Sequence, residues 1–183
     1  MPFNINQFRA QLQYDGARPN LFEVRMPFPG AVVPNGSQAM TKLSFMARTS
    51  SLPGSSLGMV SVPYFGRDIK IAGNRTFPEW TTTVINDEDF AVRRAVEQWM
   101  AGINGHTSNL RNPAFRTSLG YAVDADVIQY SKTGEIIKAH RMIGCWPTDM
   151  SPIDLDWSAN DSLEEFTVTW QLQYWTDPVS GVA

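Results

Sequence analysis

Cysteine, histidine, long apolar runs and late basic residues are all scarce in this sequence. One cysteine, Cys145, among 183 residues excludes an intrachain disulfide, so the fold has to stand on packing. Two histidines, His106 and His140, mean that a histidine-based metal site could draw on at most two imidazoles. No stretch approaches the roughly 18 consecutive apolar residues of a membrane-spanning helix. Met1 to Arg9 lack the basic-then-apolar order of a signal peptide. The expectation is a protein neither exported nor membrane-spanning, in which the N-x-Ser/Thr sequons at Asn35, Asn74 and Asn160 are chance matches. Walker and Rossmann phosphate cradles are missing too. From Trp146 to Ala183 there is no lysine or arginine, while Asp149, Asp154, Asp156, Asp161, Glu164, Glu165 and Asp177 all fall there.

What is present suits one packed domain spanning 1–183. The hydrophobic share is 43%, ample for a core at this length. Gly 13 and Pro 12 lie near ordinary background, which excludes linker-like and collagen-like chains. A net charge of −3 is too mild to predict a dedicated grip on a polyanion. The charge is unevenly spread, because residues 1–75 hold eight basic residues against three acidic ones. Such a split fits solvated faces, and it equally fits a subunit whose two ends meet head to tail.

Periodicity organises the rest. Asn4 is placed to cap a short helix carrying Ile5, Phe8 and Leu12, ending before Asp15-Gly16. Phe22, Val24 and Met26 alternate with polar residues as a strand does. Residues 40–49 have mixed strand character, and Ser50 to Ser56, with Pro53-Gly54, predicts a projecting loop. Val60/Val62, Ile69/Ile71 and Trp80/Thr82/Val84 predict a meander. The period then lengthens to about 3.6 residues through Phe90, Ala91, Ala95, Val96, Trp99, Met100 and Ile103. This predicts the one substantial helix, from Asp87 to about Ala101, capped by Asn86 and stopped at Gly102. Residues 104–119 form a polar loop long enough to suggest a binding or contact surface. Tyr121–Tyr130 and Glu135–Ile143 predict a hairpin turning at Gly134. Ile153, Leu155 and Trp157 alternate with Asp154 and Asp156. Phe166, Val168, Trp170, Leu172 and Tyr174 alternate with Glu165, Thr167, Thr169, Gln171 and Gln173, a strand with one apolar face and one polar face. The fold class expected is mainly β (α+β): an antiparallel β-barrel or sandwich with one packed α-helix over about 87–101.

Motifs for catalysis are thin. Gly54-Ser55-Ser56-Leu57-Gly58 matches a nucleophile elbow, but that turn needs a helix after the serine, and Met59 to Pro63 has strand character. A hydrolase using Ser56 stays as a distant alternative. Cys145 and His140 lie five residues apart, but a dyad needs an orienting group that spacing cannot show, and a packed cysteine beside Trp146-Pro147 is the better account. The pairs Asp124/Asp126 and Asp154/Asp156 fit solvated faces better than a cation loop. Six tryptophans are not interleaved with lysine or arginine as a base-stacking groove requires. No catalytic, cofactor or metal residue is assigned.

Two segments carry a resemblance. Trp80 to Trp99, with Asn86-Asp87, Asp89-Phe90, Arg93 and Trp99, resembles the strand-into-helix segment of the tail tube proteins of contractile-tailed bacteriophages. Gly144-Cys145-Trp146-Pro147 through Asp156-Trp157, and Asp161 through Phe166-Thr167-Val168 to Tyr174-Trp175, resembles that family's C-terminal pattern of a proline turn, an acidic hairpin and a Glu-Phe-x-Val strand. The resemblance implies a structural, non-enzymatic virion protein, assembled in the host cytoplasm, six to a ring, with rings stacked into a hollow tube. It implies a surrounding sheath, a baseplate and terminator at the ends, and the tape-measure protein and DNA in the lumen, with no small-molecule substrate. By the same analogy Met40 to Val62, with Ser51, Leu52, Pro53, Gly54, Ser55 and Ser56 at its loop, would reach an adjacent ring. Glu165, Thr167, Thr169, Gln171 and Gln173 are candidates for part of the lumen face, since an unbasic channel lets DNA slide. A tube subunit of a related contractile injection or type VI secretion machine is the near alternative.

Overall fold

Period-two patterning over about a third of the chain folds as antiparallel strands, and two helices cover their apolar face. The computed structural model describes residues 4–12, 14 and 16–181. The elements are α1 (Ile5–Gln11), β1 (Phe22–Arg25), α2 (Gly36–Met46), β2 (Ala47–Ser50), β3 (Ser56–Tyr64), β4 (Arg67–Thr76), β5 (Trp80–Ile85), α3 (Ala91–Ile103), α4 (Ser118–Tyr121), β6 (Val123–Tyr130), β7 (Ile136–Met150), β8 (Glu165–Gln171) and β9 (Tyr174–Thr176). Seven strands make one sheet in the order β1-β6-β7-β8-β5-β2, with β9 on β7; β3 and β4 pair only with each other. All pairings are antiparallel.

β7 gives the sheet its barrel-like curl. It pairs with β6 and β9 along its first part and with β8 along its last, and its register shifts opposite Val123/Ala125 and at Pro147/Asp149. Such irregularities bend a strand and raise its twist. Gly144 sits at the first of them with φ 69, where its N–H donates to Asp124 Oδ1 and a Cβ would stand 2.9 Å from Gln173 Cγ. Glycine is required there. The expected proline turn at Cys145-Trp146-Pro147 is instead interior strand, Pro147 standing opposite Trp170.

The core lies between the inner sheet face and α2 and α3. β8 alternates half-buried and buried along its whole length, and β5 buries Trp80, Thr82 and Val84. Trp170 is flanked by Trp80 (ring centroids 6.3 Å) and Trp99 of α3 (5.7 Å). Each buried indole is satisfied: Trp170 donates to Thr82 Oγ1 (2.9 Å), Trp99 to the Tyr121 carbonyl (2.9 Å), and Trp80 to the Ser51 carbonyl (3.0 Å). Buried polar atoms without such partners would cost about 1–3 kcal/mol each.

Several expectations need correction. Residues 36–46 are a second substantial helix, not mixed strand; it buries Gly36, Ala39 and Leu43 at helical spacing, a stripe too small to stand out among the polar residues between. α3 starts at Ala91. Phe90 has φ 51, Asp89 Oδ1 takes the Ala91 N–H (3.0 Å), and the Asn86 side chain donates to Glu164 Oε2 (2.9 Å) instead of capping. Gly102 is inside the last turn, where a Cβ would meet Val32 Cγ1 at 2.7 Å and Phe115 Cε2 at 2.8 Å, so close packing and not helix termination selects it. Tyr121 belongs to α4, and residues 104–120 are pinned by the buried Phe115 in a 3-10 turn. Residues 151–164 form no strand; Leu155 and Trp157 are exposed in a looping connection whose turns are closed by Asp156. α1 forms as expected, with Asn4 Oδ1 accepting from the Asn6 N–H, and all its residues are exposed.

Candidate assembly surfaces

The β3–β4 hairpin stands apart from the core. Every residue of β3 and every residue of β4 except Gly73 is exposed. Cross-strand pairs alternate faces, so Val60–Ile71 and Val62–Ile69 share one face while Ser61–Lys70 and Pro63–Asp68 share the other. The apolar face holds four β-branched side chains, each 42–53% exposed. At the tip Phe65 and Gly66 have φ 43 and 82, the pair of left-handed residues that a two-residue primed turn demands. Phe65 is 92% exposed and packs edge-on to Tyr64 at 4.7 Å. A two-stranded ribbon with an exposed apolar face is at best marginal alone in water.

The loop Ser51 to Ser56 is the root of this arm. Pro53 is buried, Leu52 is 41% exposed, the Ser51 carbonyl accepts from Trp80, and the Gly54 carbonyl accepts from Trp175 Nε1 (2.8 Å). Ser55 is exposed, and Ser56 opens β3 with strand and not helix after it, so the elbow geometry is absent. Met40 to Met46 lies in α2, so the projecting segment is Ser56–Thr76 and not Met40 to Val62.

Trp175 ties this root to the last strand. Its ring lies edge-on to Phe77 (6.3 Å), just beyond β4, and stacks flat on His140 (4.5 Å, 13°). Behind it Asp177 is buried, paired with Lys138, 4.0 Å from His140 Nε2, and accepts the Val179 and Ser180 N–H groups on Oδ1. The Lys138 ammonium, its strongest partner, holds the Asp177 carboxyl well below the usual range. Burial lowers the His140 pKa against the opposing pull of Asp177. No sequence period marks this cluster; only β9 folding back on β7 creates it.

The polar face of β8 presents Glu165, Thr167, Thr169 and Gln171, all half-buried, and Gln173 beyond it is exposed. Thr83 and Thr167 hydroxyls meet at 3.1 Å, and Thr81 stands opposite Thr169. Arg48 of β2 pairs with Glu165, so the face carries one cation, and that cation is neutralised. The remaining chemistry candidates are structural: Asp126 holds Arg141 (2.9 Å), Asp124 holds the Gly144 N–H, and burial pushes the Cys145 thiol up to about 12, far from a nucleophilic thiolate. Among the described residues no three His, Cys, Asp or Glu side chains gather as metal ligands.

The two surfaces sit on a seven-stranded antiparallel sheet and on the separate two-stranded hairpin inserted into it. A family profile described as phage tail tube protein matches residues 17–177, and the chain belongs to that family. It is 32% identical over 170 residues to tail tube protein gp19 of Enterobacteria phage T4, covering 91% of this chain and 95% of that one. It is 28% identical over 169 residues to the tail tube protein of Serratia phage KSP90, covering 89% and 90%. In fold it is similar to a chain of the six-fold symmetrised anti-feeding prophage baseplate (TM-score 0.66, 12% identity, covering 88% and 94%). It is also similar to one from the sheath–tube complex of an extracellular contractile injection system, PVC (TM-score 0.59, 12%, covering 96% and 97%). Its relatives are structural tail tube proteins and not enzymes.

Proposed function

We propose that this chain is the tail tube subunit of a contractile-tailed bacteriophage, stacked as hexameric rings into a hollow tube that conducts DNA during ejection. The observation that carries this reading is the unpartnered arm. Covering Val60, Val62, Ile69 and Ile71, each roughly half exposed, is worth on the order of 1 kcal/mol apiece, and repetition around a ring multiplies it. Family membership and the related fold in a six-fold assembly support the ring. The root residues Ser51 to Ser56 aim the arm at an adjacent ring. The sheath lies outside, a baseplate and terminator close the ends, the tape-measure protein and DNA occupy the lumen, and assembly takes place in the host cytoplasm before the protein becomes part of the virion.

The threonine and glutamine face from Glu165 to Gln173 supplies part of the lumen, where paired or absent cations leave DNA little to grip. Gln171→Lys with Gln173→Lys is expected to impede DNA delivery while tubes still form; unchanged delivery counts against this lining. The fold likeness to injection-system tubes keeps the tube subunit of such a machine as the second reading. Negative-stain electron microscopy across a concentration series tests the function, with six-fold rings or hollow tubes expected and monomers at every concentration contradicting it.

A further inference from the structure

The arm and the exposed acidic loop lie at opposite ends of the same strands. In the β5–β8 register Trp80 stands opposite Trp170 and Ile85 opposite Glu165. The arm is inserted between Ser50 and Trp80, hence at the Trp170 end. Residues 151–164 join Met150 to Glu165, hence at the other end. Six residues of strand separate the ends by roughly 20 Å, so within one subunit the two features face away from each other.

Their surfaces are complementary. The loop 151–164 encloses an open concavity of about 470 Å3 and exposes Leu155, Leu163 and Trp157, the last at 101%. Asp154, Asp156 and Glu164 line the same concavity as these apolar groups, Asp161 lies in the same loop, and the loop has no basic residue. The arm offers the matching set: an apolar ladder, Tyr64 and Phe65 at its tip, and Arg67, Lys70 and Arg75 against a single acid, Asp68. A fully exposed tryptophan beside two exposed leucines in a pocketed loop is what a buried interface centre looks like before its partner arrives.

Resting on the tube reading above, we infer that the receptor for the arm is the 151–164 loop of a second copy of this chain in the next ring, with Trp157 at the centre of the contact and the arm's basic residues meeting the loop's acids. A contact between two different surfaces at opposite ends of one subunit is heterologous. With its two surfaces at opposite ends of the same strands, it does not stop at a dimer but propagates along the strand direction, as a growing tube requires. The uneven charge along the sequence thereby acquires a place: basic arm at one end, acidic loop at the other.

The test is a charge exchange. One variant carries Arg67→Glu and Lys70→Glu on the arm, a second carries Asp154→Lys and Asp161→Lys on the loop, and a third carries all four. Tube yield at matched concentration, by electron microscopy and sedimentation, is expected to fall about ten-fold or more in each of the first two, as juxtaposed like charges predict. In the third it is expected to return to within about two-fold of the unmodified chain, because every arm again meets an opposite charge. Circular dichroism checks that all three are folded. Single-side variants that assemble normally overturn the inference, and so does a combined variant no better than its parents, which would assign the loop to another protein such as the sheath. In both cases tubes from the unmodified chain leave the tube reading standing. An unmodified chain that stays monomeric defeats that reading and this inference with it.

Discussion

β5–β8 and β3–β4 are both antiparallel pairs rich in β-branched residues, yet one lines the core and the other is almost wholly exposed. In the first, alternate residues from Phe166 to Trp170 lie against Trp80, Val84 and Trp99. In the second, Val60, Val62, Ile69 and Ile71 alternate just as regularly and face water. The pattern therefore specifies a strand and its apolar face, and leaves open which chain covers that face. In the tube proposed above, the answer is divided between the chain itself and its copies.

Damage to the buried pair is expected to have the largest effect on the folded subunit. Trp170→Ala removes the ring between two other tryptophans and leaves the Thr82 hydroxyl without its partner; a loss of about 3–5 kcal/mol is expected, read as a lower urea midpoint. The same measurement on Val62→Ser, in the arm, should move the midpoint by no more than about 0.5 kcal/mol. A large shift there would mean that the arm is covered within the subunit, against the contrast drawn above.

The link between the regions is smaller. Trp175→Phe keeps an aromatic ring against His140 and Phe77 but loses the N–H to the Gly54 carbonyl, a bond worth about 1 kcal/mol. Faster hydrogen exchange at the arm root, with little change at β5 and β8, is the expected signature; uniform change across the sheet would make Trp175 a general core residue instead.

The smallest effect is pH-dependent. Burial holds the folded-state pKa of His140 below its ordinary 6.5. The unfolded chain therefore takes up that proton first, and stability is lost as the pH falls through and below about 6.5. Asp177, lowered chiefly by Lys138, adds a second loss at more acidic pH, since its contribution is present above the ordinary carboxylate range and vanishes beneath it. His140→Gln should flatten the slope of the urea midpoint between pH 7 and 5. An unchanged slope would place the titration elsewhere.

Sequence patterning made β1, the hairpins, α1, the long α3 and the polar face of β8 legible, because each has a strong period or a capping residue. α2 escaped because Gly36, Ala39 and Leu43 bury too little apolar surface to stand out from their polar neighbours. The continuation of β7 through Pro147 escaped because a proline inside a strand is tolerated only beside an irregularity, and the register shift that permits it is a tertiary feature. Residues 153–157 alternate like a strand but make no pairing: Ile153 packs against the core, while Leu155 and Trp157 stand exposed. The sequence punctuation at Pro53-Gly54 marks the root of the hairpin, while its tip at Phe65-Gly66 lies between two strands whose alternation predicts a meander without showing that nothing packs on it.

The most direct test of the account is to excise Ser56 to Thr76 and join residues 55 and 77 by a short glycine-serine link, which the opposition of Ser56 and Thr76 makes geometrically easy. Electron microscopy and urea unfolding are then compared with the full chain. The account predicts a folded subunit with an almost unchanged midpoint that forms no tubes. Tubes of normal length from the armless chain, or a body that no longer folds, would contradict it.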